Sequence, residues 1–304
     1  MPEKTYKPFI MKLSCLISFT LFLFFLPHHA VASEEKITIG LMPEMNVFKQ
    51  KKRFEPLAAY LSAKMNTKVE LSMLSRYGNI IERFQEVNID AAFLGSFTGA
   101  LAISQLGVEP IARPINEDGA STYCGYIFVR KDSGINSVAD MKGKTFAFVE
   151  KATTAGYVFP LAYLMQHQVN NIDEYFKTYY FTGSHDGAID SVLSGRADIG
   201  AAKNTIYNFV RKADPRIDRE LTILATSPKV PSNGLCVKPD MAPAKKERLR
   251  QELLDLHQTS QGLEVLKALG FQRFVETSKD DYQPVFTLSE EAGINLKEYR
   301  YINQ

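Results

Sequence analysis

The sequence predicts an α/β protein of two lobes with a ligand cleft between them, on three observations. Short β-rich runs alternate with amphipathic helical segments, that alternation is laid out twice, and a late, largely helical stretch returns after the second set. Strands joined by helices call for mainly parallel sheets covered on both faces.

Lys36 to Leu41 is the first β-rich run and feeds the turn-like Met42-Pro43-Glu44-Met45-Asn46. Phe54, Leu57, Ala58, Leu61 and Met65 then recur at helical spacing, with lysines and Arg53 on the other positions. Lys68 to Met73 alternates as a strand. After Ser75-Arg76-Tyr77-Gly78, a second helix shows Ile80, Ile81, Phe84 and Val87. Asp90 to Gly95 reads as a buried strand, and Ser96-Phe97-Thr98-Gly99 opens another helix. The second set runs from the strand Tyr123 to Arg130, through a short helix and turn over Ser137 to Lys144, to the strand Thr145 to Val149. Further strands are expected at Lys177 to Phe181 and Ala197 to Ala201, with helices at Asp186 to Leu193 and Thr205 to Arg211. Leu221 to Ala225 and Gly234 to Val237 are strand candidates, and the remainder is read as largely helical.

Residues 1–32 stand apart. Lys4, Lys7 and Lys12 precede the apolar run Leu16 to Pro27, and Ala30-Val31-Ala32 supplies small residues at a cleavage spacing, the pattern of a secretory signal peptide. The run is short for a membrane span, and Cys15 lies ahead of it, which argues against a lipoprotein cleavage site. The mature chain is expected to start near Ser33. Of 36 basic and 34 acidic residues, the signal segment takes three lysines and one glutamate, leaving 33 of each. A near-neutral exported chain has no electrostatic footprint for nucleic acid, so any anion must be held locally. Cys124 and Cys236 could form one disulfide or remain two free thiols, and spacing does not decide between them. They make no metal pattern, and His167 and His257 lack partners at metal spacing, so neither a metal nor a cofactor is expected.

The stretch Thr145 to Tyr157 carries the sharpest functional signal. A strand, a loop with Thr153, Thr154, Ala155 and Gly156, and an apolar helix follow one another, which sets free backbone N–H groups and two hydroxyls at a helix start. A plain N-cap at Thr153 or Thr154 is the simpler reading, and an anion site the richer one. Ligands in open α/β sheets sit beyond the carboxyl ends of the strands, which gathers the loops at Pro43, Tyr77, Ser96, Thr153 and His185 around one cleft. Catalysis is not expected. Ser184, His185 and Asp186 have the composition of a triad, but consecutive side chains diverge, and no nucleophile elbow is present. Nothing in the local sequence supports a thiol site pairing Cys124 with His185 or His167.

Several segments in fixed order point further: Pro56-Leu57-Ala58-Ala59-Tyr60-Leu61, Arg76-Tyr77-Gly78-Asn79-Ile80-Ile81, Ile89 to Gly95, Val129-Arg130-Lys131-Asp132-Ser133-Gly134-Ile135, Asp140-Met141-Lys142-Gly143-Lys144, Thr153-Thr154-Ala155-Gly156, Gly183-Ser184-His185-Asp186 and Val230-Pro231-Ser232-Asn233-Gly234. With them the chain resembles, over nearly its whole mature length, the phosphonate-binding family of periplasmic proteins that serve ABC transporters, a branch that includes phosphite and phosphate binders. The resemblance implies a type II periplasmic-binding-protein fold, with residues 33–124 and 232–304 in lobe one and 125–231 in lobe two. It implies capture of a small anion by lobe closure, delivery to an inner-membrane permease or, alternatively, to a membrane sensor, and a monomer. Carried over by position, Tyr77 and Tyr123 would donate hydroxyls, with Tyr126 a neighbouring alternative to the latter. Thr153, Thr154 and Ala155 would hold oxygens, His185 would complete the cage, and Ser96 would face it from lobe one. Glu44 and Asn46 share the right loop. Ala155 departs from a more usual serine and gives up one hydroxyl. Asn233 stands where binders of aminoalkylphosphonates are expected to carry a carboxylate, and a neutral amide serves an ammonium poorly. The expected ligand is therefore phosphite, methylphosphonate or phosphate.

Overall fold

Every residue of the strand Lys36–Leu41 after Lys36 is buried, a pattern that a strand sustains only inside a sheet covered on both faces. A computed structural model of the chain describes residues 1–4, 36–42, 47–74 and 80–301. Most of the expected signal segment, and Glu44, Asn46 and Tyr77, lie outside the described residues.

The strands in chain order are β1 (Lys36–Leu41), β2 (Lys68–Met73), β3 (Ala91–Leu94), β4 (Glu109–Asn116), β5 (Thr122–Tyr123), β6 (Gly125–Arg130), β7 (Thr145–Phe148), β8 (Thr178–Phe181), β9 (Ile199–Lys203), β10 (Leu221–Thr226), β11 (Val230–Pro231), β12 (Gly234–Val237) and β13 (Phe271–Glu276). They form a six-stranded sheet in the order β13-β4-β12-β3-β1-β2 and a five-stranded sheet in the order β10-β6-β9-β7-β8. The short strands β5 and β11 pair antiparallel, Val230 opposite Tyr123 and Pro231 opposite Thr122, on the two connections between the sheets.

Both sheets are mixed, where the strand–helix alternation predicts mainly parallel ones. β1 is parallel to β2 and β3, but β12 is antiparallel to both β3 and β4. In the second sheet β6 alone runs against its neighbours β9 and β10. The reason is topological. β6 and β12 are the strands that enter each sheet from the other one, so no crossover helix sets their direction. Neither β4 nor β13 is marked as a strand by its sequence pattern. Pro110 and Pro114 interrupt β4 and argue against a ladder strand, while β13 is an edge with Gln272 and Arg273 exposed.

The first helix, Val47–Met65, buries Phe54, Leu57, Leu61 and Met65 as the spacing requires, in one cluster with Leu266 and Leu269 of the helix Ser260–Leu269. Each such side chain contributes roughly 1.5–3 kcal/mol of burial. In the second sheet, Phe146 and Phe148 stack at 4.1 Å, and Tyr157 meets Phe148 edge-on at 5.3 Å. That aromatic block anchors the turn that carries Thr153 and Thr154. Cys124 and Cys236 are both free thiols. Among the described residues, no helix is long and apolar enough to cross a membrane.

Candidate functional site

The turn after β7 is built around a glycine. Thr154–Val158 forms a π-helical turn that runs into the α-helix Phe159–Gln166. A Cβ on Gly156 would lie 2.4 Å from the Cβ of Val149, so only glycine lets the turn close against the strand end. Thr153 occupies the N-cap position in extended conformation but makes no side-chain cap. Its hydroxyl donates to the Glu150 carbonyl at 2.7 Å. The first-turn N–H groups of this helix are thus left without a capping side chain, which removes the simpler reading of the two threonines.

Thr154 turns its hydroxyl towards the other sheet. Ser96 Oγ lies 2.6 Å from Thr154 Oγ1 and 2.5 Å from the Tyr123 hydroxyl. Ser96 is the first residue of the helix Ser96–Leu106, whose N-cap is Gly95, so the serine is not itself the cap. One hydroxyl chain therefore joins a helix start on the first sheet, a connecting strand, and a helix start on the second.

A cavity of ≈ 390 Å³ opens onto this chain. Ser96, Tyr123, Thr153, Thr154, Ala155, His185 and Asn233 all line it, so seven of the eight residues singled out from the sequence are brought together. The eighth, Tyr77, lies outside the described residues. Tyr126 packs edge-on against Tyr207 at 5.5 Å and does not line the cavity. His185 opens the helix His185–Leu193 behind its N-cap Ser184, whose hydroxyl accepts from the Gly187 N–H. The Lys203 backbone N–H donates to His185 Nδ1 at 3.2 Å. Burial, reinforced by the Lys203 charge and opposed by Asp186, pushes the imidazole down to about 3. At neutral pH the ring is neutral and its second nitrogen, Nε2, is a donor. Three helix N-termini, at Ser96, Thr154 and His185, converge on the one space, each carrying partial positive charge.

Two cations escaped the sequence reading. Lys203, the last residue of β9, holds its ammonium 4.3 Å from the centre of the Tyr123 ring. Its place at the carboxyl end of a strand was the available signal. Arg53 lines the same cavity, and it reads in sequence as part of a solvated helix face. Among the described residues no carboxylate lies within salt-bridge distance of either. Asp186 is the one carboxylate among the described residues lining the cavity, and it is exposed in the first turn of its helix. No group of three or more His, Cys, Asp or Glu side chains that could hold a metal occurs among the described residues. A larger, mostly apolar space of ≈ 540 Å³ lies between the helices Phe159–Gln166 and Gln283–Glu291, but it gathers none of these polar groups.

A two-lobed α/β frame with a donor-rich cleft between two sheets is the architecture of a solute-binding protein. The chain belongs to the periplasmic substrate-binding proteins of phosphonate ABC transporters, whose family model matches residues 39–282. The members of that family bind substrates and are not enzymes. The chain is 22% identical over 267 residues to the "Phosphonates-binding periplasmic protein" of Escherichia coli, covering 86% of this chain and 78% of that one. It is 24% identical over 278 residues to the "Probable ABC transporter phosphite binding protein PhnD1" of Prochlorococcus marinus, covering 87% and 91% respectively. The crystal structure of the Prochlorococcus PhnD1 protein in complex with methylphosphonate shares the fold at a TM-score of 0.70 and 21% identity, over 86% of this chain and 99% of that one.

Proposed function

We propose that this protein captures a small phosphorus oxyanion without an amine, of the phosphite, methylphosphonate or phosphate type, by closure of its two lobes, and delivers it to an inner-membrane permease. The observation that carries this reading is the Ser96–Tyr123–Thr154 hydroxyl chain at uncapped helix starts, beside a neutral His185 and the ammonium of Lys203. In this reading Thr154 and Ala155 offer backbone N–H groups, Thr153, whose own N–H and hydroxyl donate to the Glu150 carbonyl, lines the site beside them, and Ser96, Tyr123 and Thr154 offer hydroxyls. His185 donates from Nε2, and Tyr77 donates its hydroxyl. Asn233, in place of a carboxylate, argues against an ammonium-bearing ligand. The methylphosphonate complex of the Prochlorococcus relative supports the ligand class.

The same reading takes residues 1–32 as the export signal, residues 33–124 and 232–304 as lobe one, residues 125–231 as lobe two, and the working protein as a monomer. Titration calorimetry with phosphite, phosphate, methylphosphonate and 2-aminoethylphosphonate tests it. Heat from one or more of the first three and weaker binding of the amino compound is the expected result. A preference for the amino compound would overturn the argument from Asn233, and silence from all four would overturn the phosphorus reading.

A further inference from the structure

The candidate cavity does not end at the hydroxyl chain. A smaller space of ≈ 140 Å³ adjoins it and shares Arg53, Lys203 and Asn233 with it. Asn116 and Ser232 also line this annex, and no carboxylate does among the described residues. The Arg53 guanidinium is held there by a hydrogen bond to the Leu269 carbonyl and by the face of Phe271, 5.4 Å from the ring centre. Three helix starts, each worth roughly half a positive charge, already balance most of a doubly charged oxyanion at the hydroxyl chain. With Lys203 and Arg53 added, the positive charge exceeds that group's by about one and a half, and the exposed Asp186 is the one carboxylate among the described residues lining either space. A cationic annex beside an oxyanion site costs self-repulsion unless a second anion occupies it.

Resting on the phosphorus reading above and narrowing it to a substituted phosphonate, we infer that the preferred ligand carries a second anionic group on its substituent, a carboxylate, which the annex receives between Arg53 and Lys203. The substrate class is a short phosphonocarboxylate. Its phosphonyl end lies at Ser96, Tyr123 and Thr154, and the guanidinium of Arg53 with the ammonium of Lys203 suits a carboxylate at the other end.

Calorimetry with phosphonoacetate, 3-phosphonopropionate, methylphosphonate and isobutylphosphonate, the last a neutral shape match for phosphonoacetate, tests the inference. One of the two phosphonocarboxylates should bind at least tenfold more tightly than both neutral-tailed compounds, and the margin should shrink as salt is raised. Arg53→Met should cut that margin about tenfold while leaving methylphosphonate binding measurable. Methylphosphonate binding as tightly as either phosphonocarboxylate would overturn the inference and leave the phosphorus reading standing. Binding of none of the four would overturn the inference, and the phosphorus reading falls with it only if phosphite and phosphate are silent as well. The wild-type comparison decides the matter even if the variant fails to fold.

Discussion

Lys203 holds His185 in a single tautomer. Its backbone N–H donates to Nδ1 at 3.2 Å, so the one proton of the neutral ring sits on Nε2, the nitrogen free to serve a ligand. The same residue places its ammonium over Tyr123, and thereby ties the orientation of one donor to the charge of the site.

Affinity should therefore not track histidine titration. With the imidazole pushed down to about 3, the ratio of ligand affinity between wild type and His185→Gln should stay constant from pH 6 to 8.5, while His185→Ala should weaken binding by about tenfold, roughly one hydrogen bond. A ratio that shifts tenfold near pH 6.5 in calorimetry would show a titrating imidazole instead.

Stability carries the matching sign. A histidine whose folded pKa lies below its unfolded value of 6.5 binds fewer protons when folded, so the contribution is full above about pH 6.5 and is lost as pH falls towards 3. Denaturant titrations at pH 7, 6 and 5 should show acid destabilisation that is shallower in His185→Gln than in wild type. Parallel slopes would mean that the ring titrates normally.

The two threonines should separate by phenotype. Thr154→Ala removes the partner of Ser96 Oγ and should weaken oxyanion binding by on the order of 1.5–3 kcal/mol, with Thr154→Ser recovering most of it. Thr153→Ala removes the bond to the Glu150 carbonyl and should cost about 1 kcal/mol of stability, with a smaller effect on affinity. Equal losses of affinity in the two variants would contradict this division.

Gly156→Ala should destabilise the fold by about 1–3 kcal/mol, because its Cβ meets the Val149 side chain. It should also weaken binding, since the turn must move away from the strand. Adding Val149→Ala should restore part of both, as read by melting temperature and calorimetry. No change in either would mean that the turn has room to spare.

The thiols give a chemical check. Burial pushes the Cys236 thiol up to about 12, and its sulfur lies 3.9 Å from the Tyr282 hydroxyl. In protein starting at Ser33, two thiols should titrate after denaturation without reductant, and Cys236 should resist alkylation in the native state at pH 8. A count of zero would mean that the pair is bridged.

Much of this was readable in the sequence because it depends on local periodicity. Phe54, Leu57, Leu61 and Met65 announce a helix face, and the Ala91–Leu94 run a buried strand, without reference to anything distant. The direction of β12 was not readable, since it follows from a chain that leaves one sheet and re-enters from the other. Pro110 and Pro114 concealed β4 by arguing, correctly in most settings, against a strand. At the site, Thr154 and His185 were legible as helix starts. Lys203 and Arg53 were not, because their importance comes from facing the same space across 150 positions of sequence.

The hydroxyl chain sets a limit on what it can give. Ser96, Tyr123 and Thr154 hold three protons between them, and two are consumed by the contacts at 2.5 and 2.6 Å. Only one is left to point outward. An incoming oxyanion with several lone pairs must draw its other hydrogen bonds from backbone N–H groups and His185. Those groups can donate but never accept, whereas the hydroxyl oxygens can do either. The trio is thus the place where a ligand that still carries a P–OH proton could put it, and a fully ionised ligand and a half-protonated one would set the three hydroxyl rotors in opposite senses.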